Sequence, residues 1–504
     1  MKKAVLFFLA ILFFSLIAYS QHTPKQWVLG QGNGATPYFE NNTIIFTDTG
    51  TYVQGLPNVH NPIWAMNASI ADPLHPLLFY SNGVNIYNWQ HNMIMNGDSL
   101  NPCYFTFNLI PQGYSLAQMD AFIPDPGDTN RFYLFHASGD LLYNTYPGLS
   151  PAYMPNKLYY TLVDKTLDSG NGGVVTKNNI IGNDTLGWGL LAIKHGNGRD
   201  WWIITRHNHL PRFYTWLVTP SGVSGPFMQQ IGPIAYAGFV NLKYGYLTNQ
   251  VLGFRNWHTL DSMYIDIYNF DRCTGVFSSS FTLSISYNQY YAVPGGCEVS
   301  SSGRYLYAGT MLELHQYDML GPNLVASDIL IDNMPLDTAQ LWGCPYGAMQ
   351  LGPDGRIYIG SNHGSDFHSN VINYPDSAGL ACNVVRHGIT FPAIHFQDWP
   401  NIPRYEQPQL YNSACDSLSA GINDVLQQQP TLQVYPNPAT QILTISNTLL
   451  KNNFTVTVYD RLGKKVIEAK NQTTIHISLL TVGVYVVEVR EKDRVLRAKF
   501  LKSD

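Results

Sequence analysis

Gly296-Cys297-Glu298-Val299-Ser300-Ser301-Ser302-Gly303-Arg304-Tyr305-Leu306-Tyr307-Ala308-Gly309 returns 51 residues later as Gly347-Ala348-Met349-Gln350-Leu351-Gly352-Pro353-Asp354-Gly355-Arg356-Ile357-Tyr358-Ile359-Gly360. Each copy reads as a strand, a tight turn at glycine, and a second strand opening after arginine. Weaker relatives stand earlier: Asn197-Gly198-Arg199-Asp200-Trp201-Trp202-Ile203-Ile204, then Asn249 to Phe254, Asn130-Arg131-Phe132-Tyr133-Leu134-Phe135, and Leu77-Leu78-Phe79-Tyr80. Intervals near 50 residues, with one longer gap between residues 131 and 199, mark a repeated unit of several short strands. A four-stranded unit cannot bury both faces alone, so such units close into a ring. The expected fold is therefore all-β, a six- or seven-bladed β-propeller. A pair of β-sandwiches is the alternative, and the recurrent turn-Arg-strand element disfavours it.

Composition agrees. Aromatic residues make up 13% of the 504 residues and charged residues only 12%, about half the usual share of roughly 25%. Aromatics suit half-buried pleated surfaces, and the 42 Gly and 30 Pro supply turns. Charge is uneven. Residues 21–430 hold 16 Lys+Arg against 28 Asp+Glu, whereas residues 431–504 hold 11 against 6. An acidic body argues against nonspecific nucleic-acid binding, which rests on cations at phosphate. The change of sign marks a domain boundary.

The first twenty residues set the compartment. Lys2 and Lys3 precede an apolar run from Ala4 to Ala18, and Ala18-Tyr19-Ser20 offers small residues for cleavage between Ser20 and Gln21. The run is shorter than the roughly 20 residues of a spanning helix. No later stretch reaches that length, so the expected mature chain is exported without a transmembrane span. The expected division is a signal peptide at 1–20, the propeller-like domain at 21–415, a linker at 416–430 and a small Ig-like β-sandwich at 431–504. The last rests on seven short alternating strands in some 70 residues.

That final segment resembles a known family. Val434-Tyr435-Pro436-Asn437-Pro438-Ala439-Thr440 is similar to the opening of the type A sorting domain of the Bacteroidetes type IX secretion system. Val458-Tyr459-Asp460-Arg461-Leu462-Gly463-Lys464, then Gly483-Val484-Tyr485-Val486-Val487, and finally Arg497-Ala498-Lys499-Phe500-Leu501-Lys502 follow in the order of that family. The prolines restrict φ, Asn437 turns between them, and Gly463 is free for positive φ in a hairpin loop. Lys499 and Lys502 lie where a secretion receptor would read strand edge and charge. The resemblance implies passage through the Sec export machinery, then the type IX apparatus, with removal of the sorting domain and release or attachment to surface lipopolysaccharide. The body, in Leu77 to Asn88, Ala192 to Thr205, Asn269 to Gly275, Gly347 to Gly360 and Ile372 to Val384, is similar to the propeller-like region of secreted Bacteroidetes proteins that carry such tails. That likeness implies fold and compartment, not mechanism.

No local motif carries chemistry. His195, Asn197, Asp200, His207 and His209 straddle one hairpin, where turn roles account for them. His363, Asp366 and His368 fit no defined metal spacing. Asp125-Pro126-Gly127-Asp128 lacks the ordered ligand series of a calcium loop, so calcium is unsupported and no cofactor is expected. Among the tryptophans, Trp257 and Trp342 sit in loop-like surroundings and are the candidates for a ligand face; Trp201, Trp202, Trp216 and Trp399 are expected to pack. Six cysteines in an exported chain are compatible with three disulfides. Cys273–Cys297 would staple neighbouring blades and Cys382–Cys415 would tie the last segment to the linker, leaving Cys103–Cys344. Two function classes stay open: a non-catalytic binding or adhesion module for glycan or protein, and a secreted hydrolase or lyase with an axial metal or carboxylate site.

Overall fold

A computed structural model describes residues 22–30, 39–103, 106–107, 113–114, 116–142, 152–234, 241–255, 262–286, 295–334, 344–361, 366–395, 399–416, 432–446, 453–460, 464–491 and 494–503. The chain divides into two compact units, Met1–Leu418 and Ser419–Asp504. The signal segment and its Ser20–Gln21 cleavage point lie outside the described residues, as do nearly all of 416–430.

Among the described residues, the first unit contains seven antiparallel sheets that follow one another along the chain. We call them blades 1 to 7. They span 26–56, 68–88, 120–183, 191–230, 241–286, 297–333 and 346–395. Blades 1 and 2 have three strands and the other five have four, each a simple meander. From blade 2 to blade 7, the first strand of each blade contacts the first strand of the one that follows. The ring closes because the Asn42 side chain of blade 1 exchanges two hydrogen bonds with the backbone of Ala393 in blade 7, at 2.8 and 3.0 Å. This is a β-propeller.

The repeated turn explains why the period was visible. Gly198, Gly303 and Gly355 all adopt φ near +78° (77°, 79° and 78°) between the first and second strands of blades 4, 6 and 7. In each, the glycine N–H bonds the carbonyl three residues back. A side chain is strained at such φ, and a Cβ on Gly303 would meet the Leu247 side chain at 2.8 Å. The longer gap after residue 131 is the length of the blade 3 strands Asp128–Leu142 and Ala152–Asp164.

Packing lies between blades. Apolar clusters join blades 4 and 5 through Phe213, Tyr268 and Phe277, blades 5 and 6 through Phe254 and Leu306, and blades 7 and 1 through Trp27, Tyr358 and Trp399. Trp201, Trp202, Trp216 and Trp399 are all buried, as expected of core residues. Each such side chain contributes about 1.5–3 kcal/mol by leaving water. Every blade thus has both faces covered, which no blade achieves alone.

The second unit is a β-sandwich. One sheet pairs Gln433–Tyr435, Ile442–Ser446 and Thr474–His476; the other pairs Lys465–Lys470, Thr455–Tyr459, Gly483–Glu491 and Arg494–Lys502. Val456, Val458, Ile475, Val487 and Phe500 form its core. Among the described residues, no helix of either unit is long and apolar enough to cross a membrane.

Candidate functional site

Beyond the last blade the chain turns inward. Residues 399–416 form a strap without regular structure that touches every blade. The Trp399 indole donates to Ala348 O of blade 7 at 3.1 Å. Asn401 sits where the first strands of blades 2, 3 and 4 begin: its N–H donates to Asn67 O, and its Nδ2 donates to Asp120 O and Leu190 O at 2.8 Å each. Arg404 donates to Val299 O and Ser300 O of blade 6, and the Tyr405 hydroxyl donates to Phe122 O. Glu406 accepts from Thr23, just ahead of blade 1. Further on, Pro408 O accepts from Arg272 of blade 5, and Leu410 N–H donates to Gly196 O beyond the end of the first strand of blade 4. The strap therefore runs along the channel, parallel to the inner strands. Its composition, with Pro400, Pro403 and Pro408, suits this: a proline-rich segment forms no ladder, so side chains make its bonds instead.

The strap ends in a covalent fastening. Cys415 is joined to Cys273, in the turn between the third and fourth strands of blade 5, across 142 residues of sequence. This corrects all three expected pairings. Cys297 lies fully buried in the first strand of blade 6, away from the turn that carries Cys273, and Cys382 contacts Tyr307 between blades 6 and 7. Cys103 lies beside Thr106 and Tyr114, and Cys344 donates to His368 O. Cys103, Cys297, Cys344 and Cys382 are buried free thiols. Burial pushes the thiols of Cys297 and Cys344 up to about 12, so they are inert core residues.

Between the strap and the inner strands of blades 4 to 7 lies a cavity of about 510 Å³, within the roughly 300–1,000 Å³ of small-molecule sites. Tyr244, Tyr246, Glu298, Gln350, Arg404 and Gln407 are among its lining residues. Asp354, Glu406 and Pro408 on its rim are exposed, so it reaches solvent there. The wall contains a closed network. Lys243 of blade 5 donates to Glu298 of blade 6 at 2.6 Å, to Met349 O of blade 7 at 2.9 Å and to Gln350 Oε1 at 3.2 Å. Glu298 also accepts from the N–H groups of Val299 and Leu351. Both side chains are buried, at 8% and 6% exposure. A satisfied ion pair at three inner strands fixes neighbouring blades in register. It leaves the carboxylate fully engaged.

Among the described residues, those singled out from sequence do not assemble a second site. His195 binds Cys273 O and Asn197 N–H, Asn197 and Arg199 hold Asp200, and together they shape one turn. His207 is instead placed near Asp184, at 3.6 Å. Asp125 and Asp128 accept from Gly127 and Asn130 N–H in a hairpin turn. Asp366 pairs with His368 at 3.3 Å; His363 lies outside the described residues. Among the described residues, no group of three His, Cys, Asp or Glu is placed to hold a metal ion. Trp257 and Trp342 lie outside the described residues. Sequence reasoning missed the strap and its cavity.

In the sandwich, Asn437 is fastened to the last strand: its Oδ1 accepts from Leu501 N–H at 2.9 Å and its Nδ2 donates to Lys499 O at 3.2 Å. Pro436 and Pro438 flank it. Gly483 pairs with Lys502, and Tyr485 stacks on Phe500 with ring centres 5.6 Å apart. Lys499 is exposed, whereas Lys502 is buried at 6% exposure, its ammonium turned back to Ser503 O. Gly463 lies outside the described residues.

Residues 433–503 match the family described as the secretion system C-terminal sorting domain. The chain is thus directed by the type IX secretion apparatus to the cell surface or extracellular space. No curated protein matches the chain. Among solved structures, one from Bacteroides fragilis, a candidate 6-phosphogluconolactonase, aligns over 75% of this chain and 96% of its own at 11% identity, with a TM-score of 0.43. A Dos1 propeller aligns over 64% and 71% at 12% identity, TM-score 0.33. The extracellular domain of a two-component system from B. thetaiotaomicron aligns over 92% and 62% at 10% identity, TM-score 0.27.

Proposed function

We propose that the exported propeller is a binding module and that the strap-lined channel cavity receives its ligand, a segment of glycan or protein presented outside the cell. One observation carries this reading: a cavity of about 510 Å³ that reaches solvent and whose buried carboxylate, Glu298, is already committed to Lys243 and two backbone N–H groups. A hydrolase needs a carboxylate or histidine free to exchange a proton with substrate. Shape, tyrosine faces and amide groups suit recognition instead. The cavity stands as a candidate ligand face beside the loop tryptophans Trp257 and Trp342.

The test is an array of glycans and extracellular proteins probed with the full chain and with Tyr246→Ala. The reading expects retention on a restricted set, lost in Tyr246→Ala while thermal unfolding is unchanged. Retention nowhere, or retention indifferent to Tyr246, overturns it.

A further inference from the structure

The charges around the cavity are unbalanced in one direction. Lys243 and Glu298 cancel, and Asp354 is held by Arg356 at 2.7 Å. Three cations remain on or directly behind the strap. Arg404, a lining residue, spends its N–H groups on the carbonyls of Val299, Ser300 and Ser301 and lies over the Tyr246 ring at 5.1 Å. Arg272 donates to the carbonyls of Lys194, His195 and Pro408. Lys194 donates to Tyr405 O at 2.8 Å and sits over Trp201. Among the described residues, none of the three has a carboxylate within ion-pair distance. The carboxylate nearest in the strap, Glu406, is exposed at the rim and accepts from Thr23. Asp376, beyond the rim, is turned to Ser301 and Ser302 and does not line the cavity.

Carbonyl oxygens satisfy hydrogen-bond geometry but do not cancel a full positive charge. Burial lowers the pKa of both Lys194 and Arg272; for Lys194 the Glu406 carboxylate partly offsets that effect and Arg272 adds to it. Burial raises the pKa of Tyr244, a lining residue whose hydroxyl donates to Asn249, and the charges of Arg272 and Arg404 partly offset this. With the two pairs cancelled, the charges on and directly behind the strap amount to three cations against Glu406, although the body as a whole is acidic. Resting on the binding reading above, we infer that the channel cavity takes a ligand carrying a carboxylate, such as a uronic acid residue, drawn by the charge of Arg404, the one of the three cations that lines the cavity. The Arg404 N–H groups already bond three carbonyls, so the attraction is between charges and not through a free fork.

The experiment is calorimetric titration of the full chain with D-galacturonate, its methyl ester and D-galactose, which differ in the charge and substituent at one carbon. The expected result is binding of galacturonate about tenfold or more tighter than of the ester, weakening as salt rises. Arg404→Gln is expected to abolish the preference; the salt dependence in the unmodified chain carries the same conclusion should that variant unfold. Equal binding of all three overturns the carboxylate assignment and leaves the binding reading standing. Binding of none of them also overturns the assignment, and the array result then decides the binding reading separately.

Discussion

Cys273 and Cys415, 142 residues apart in sequence, are joined by a disulfide that fastens the channel strap to the outer half of blade 5. Everything the strap does in the channel depends on its staying there. Hydrogen bonds hold it at the start, and this bond holds it at the end.

Removing the bond with Cys273→Ser and Cys415→Ser together is expected to cost about 2–5 kcal/mol in unfolding, because a long loop is no longer closed in the unfolded chain. Denaturant midpoints measure the loss. The same structure predicts four reactive thiols per denatured, non-reduced chain, those of Cys103, Cys297, Cys344 and Cys382. A thiol titration giving none would restore the three-disulfide pattern.

Asn401 pins the other end. Asn401→Ala leaves the carbonyls of Asp120 and Leu190 buried without this donor, which costs about 1–3 kcal/mol for each group stranded. Equilibrium unfolding should show a loss of at least 2 kcal/mol, roughly, on that basis. Exposed Gln90→Ala should show almost none.

The Lys243–Glu298 pair predicts an asymmetry. Lys243→Met alone strands a buried carboxylate and is expected to destabilise by about 3–5 kcal/mol. Lys243→Met with Glu298→Leu should recover most of that loss, since an apolar pair of similar volume fits the same space. A double variant as unstable as the single one would show that the pair contributes beyond its own charges.

Two fully buried groups, His136 and Asp120, contribute to the pH dependence with opposite signs. Burial holds His136 neutral, with its pKa lowered to about 3. Its unfolded value is near 6.5. Below that pH the unfolded chain takes a proton that the folded chain refuses, so stability falls as pH drops from about 6.5 toward 3, by up to about 1.4 kcal/mol per unit. Asp120 is fully buried, and burial pushes its carboxyl well above the usual range, which the Ser81 hydroxyl only partly offsets. Its contribution is complete below the unfolded value of about 3.9 and is lost as pH rises through the folded one. Asp120→Asn, which cannot ionise, should therefore raise the urea midpoint at about pH 7 and change it little near pH 4. His136→Gln should flatten the acid limb.

Much of the propeller was legible because one local device is used repeatedly. The turn glycine needs positive φ at Gly198, Gly303 and Gly355, so glycine recurs at a fixed place in the blade and betrays the period. The alternation in Val456 and Val458, or Val487 and Val489, marked the sandwich in the same way. Export was legible in the ordered blocks that begin at Val434. The strap was not. Trp399, Asn401, Arg404 and Tyr405 have no period, and a segment rich in proline reads as surface loop. Its burial comes from carbonyl groups on all sides of a channel, partners that no sequence pattern announces. The error in the disulfides has the same origin: Cys415 was placed beyond the ring, whereas the strap carries it along the channel to the turn that holds Cys273. Of the two lysines near the last strand, Lys499 is exposed and Lys502 turns its ammonium back to Ser503.

The account stands on the claim that the channel cavity binds without reacting. The measurement that meets it most directly is mass-spectrometric sizing of array-retained glycans after incubation with a stoichiometric amount of the full chain. The account predicts retained chains of unchanged length, released intact on denaturation. Shortened chains with new ends would contradict it and would make the propeller a secreted hydrolase or lyase.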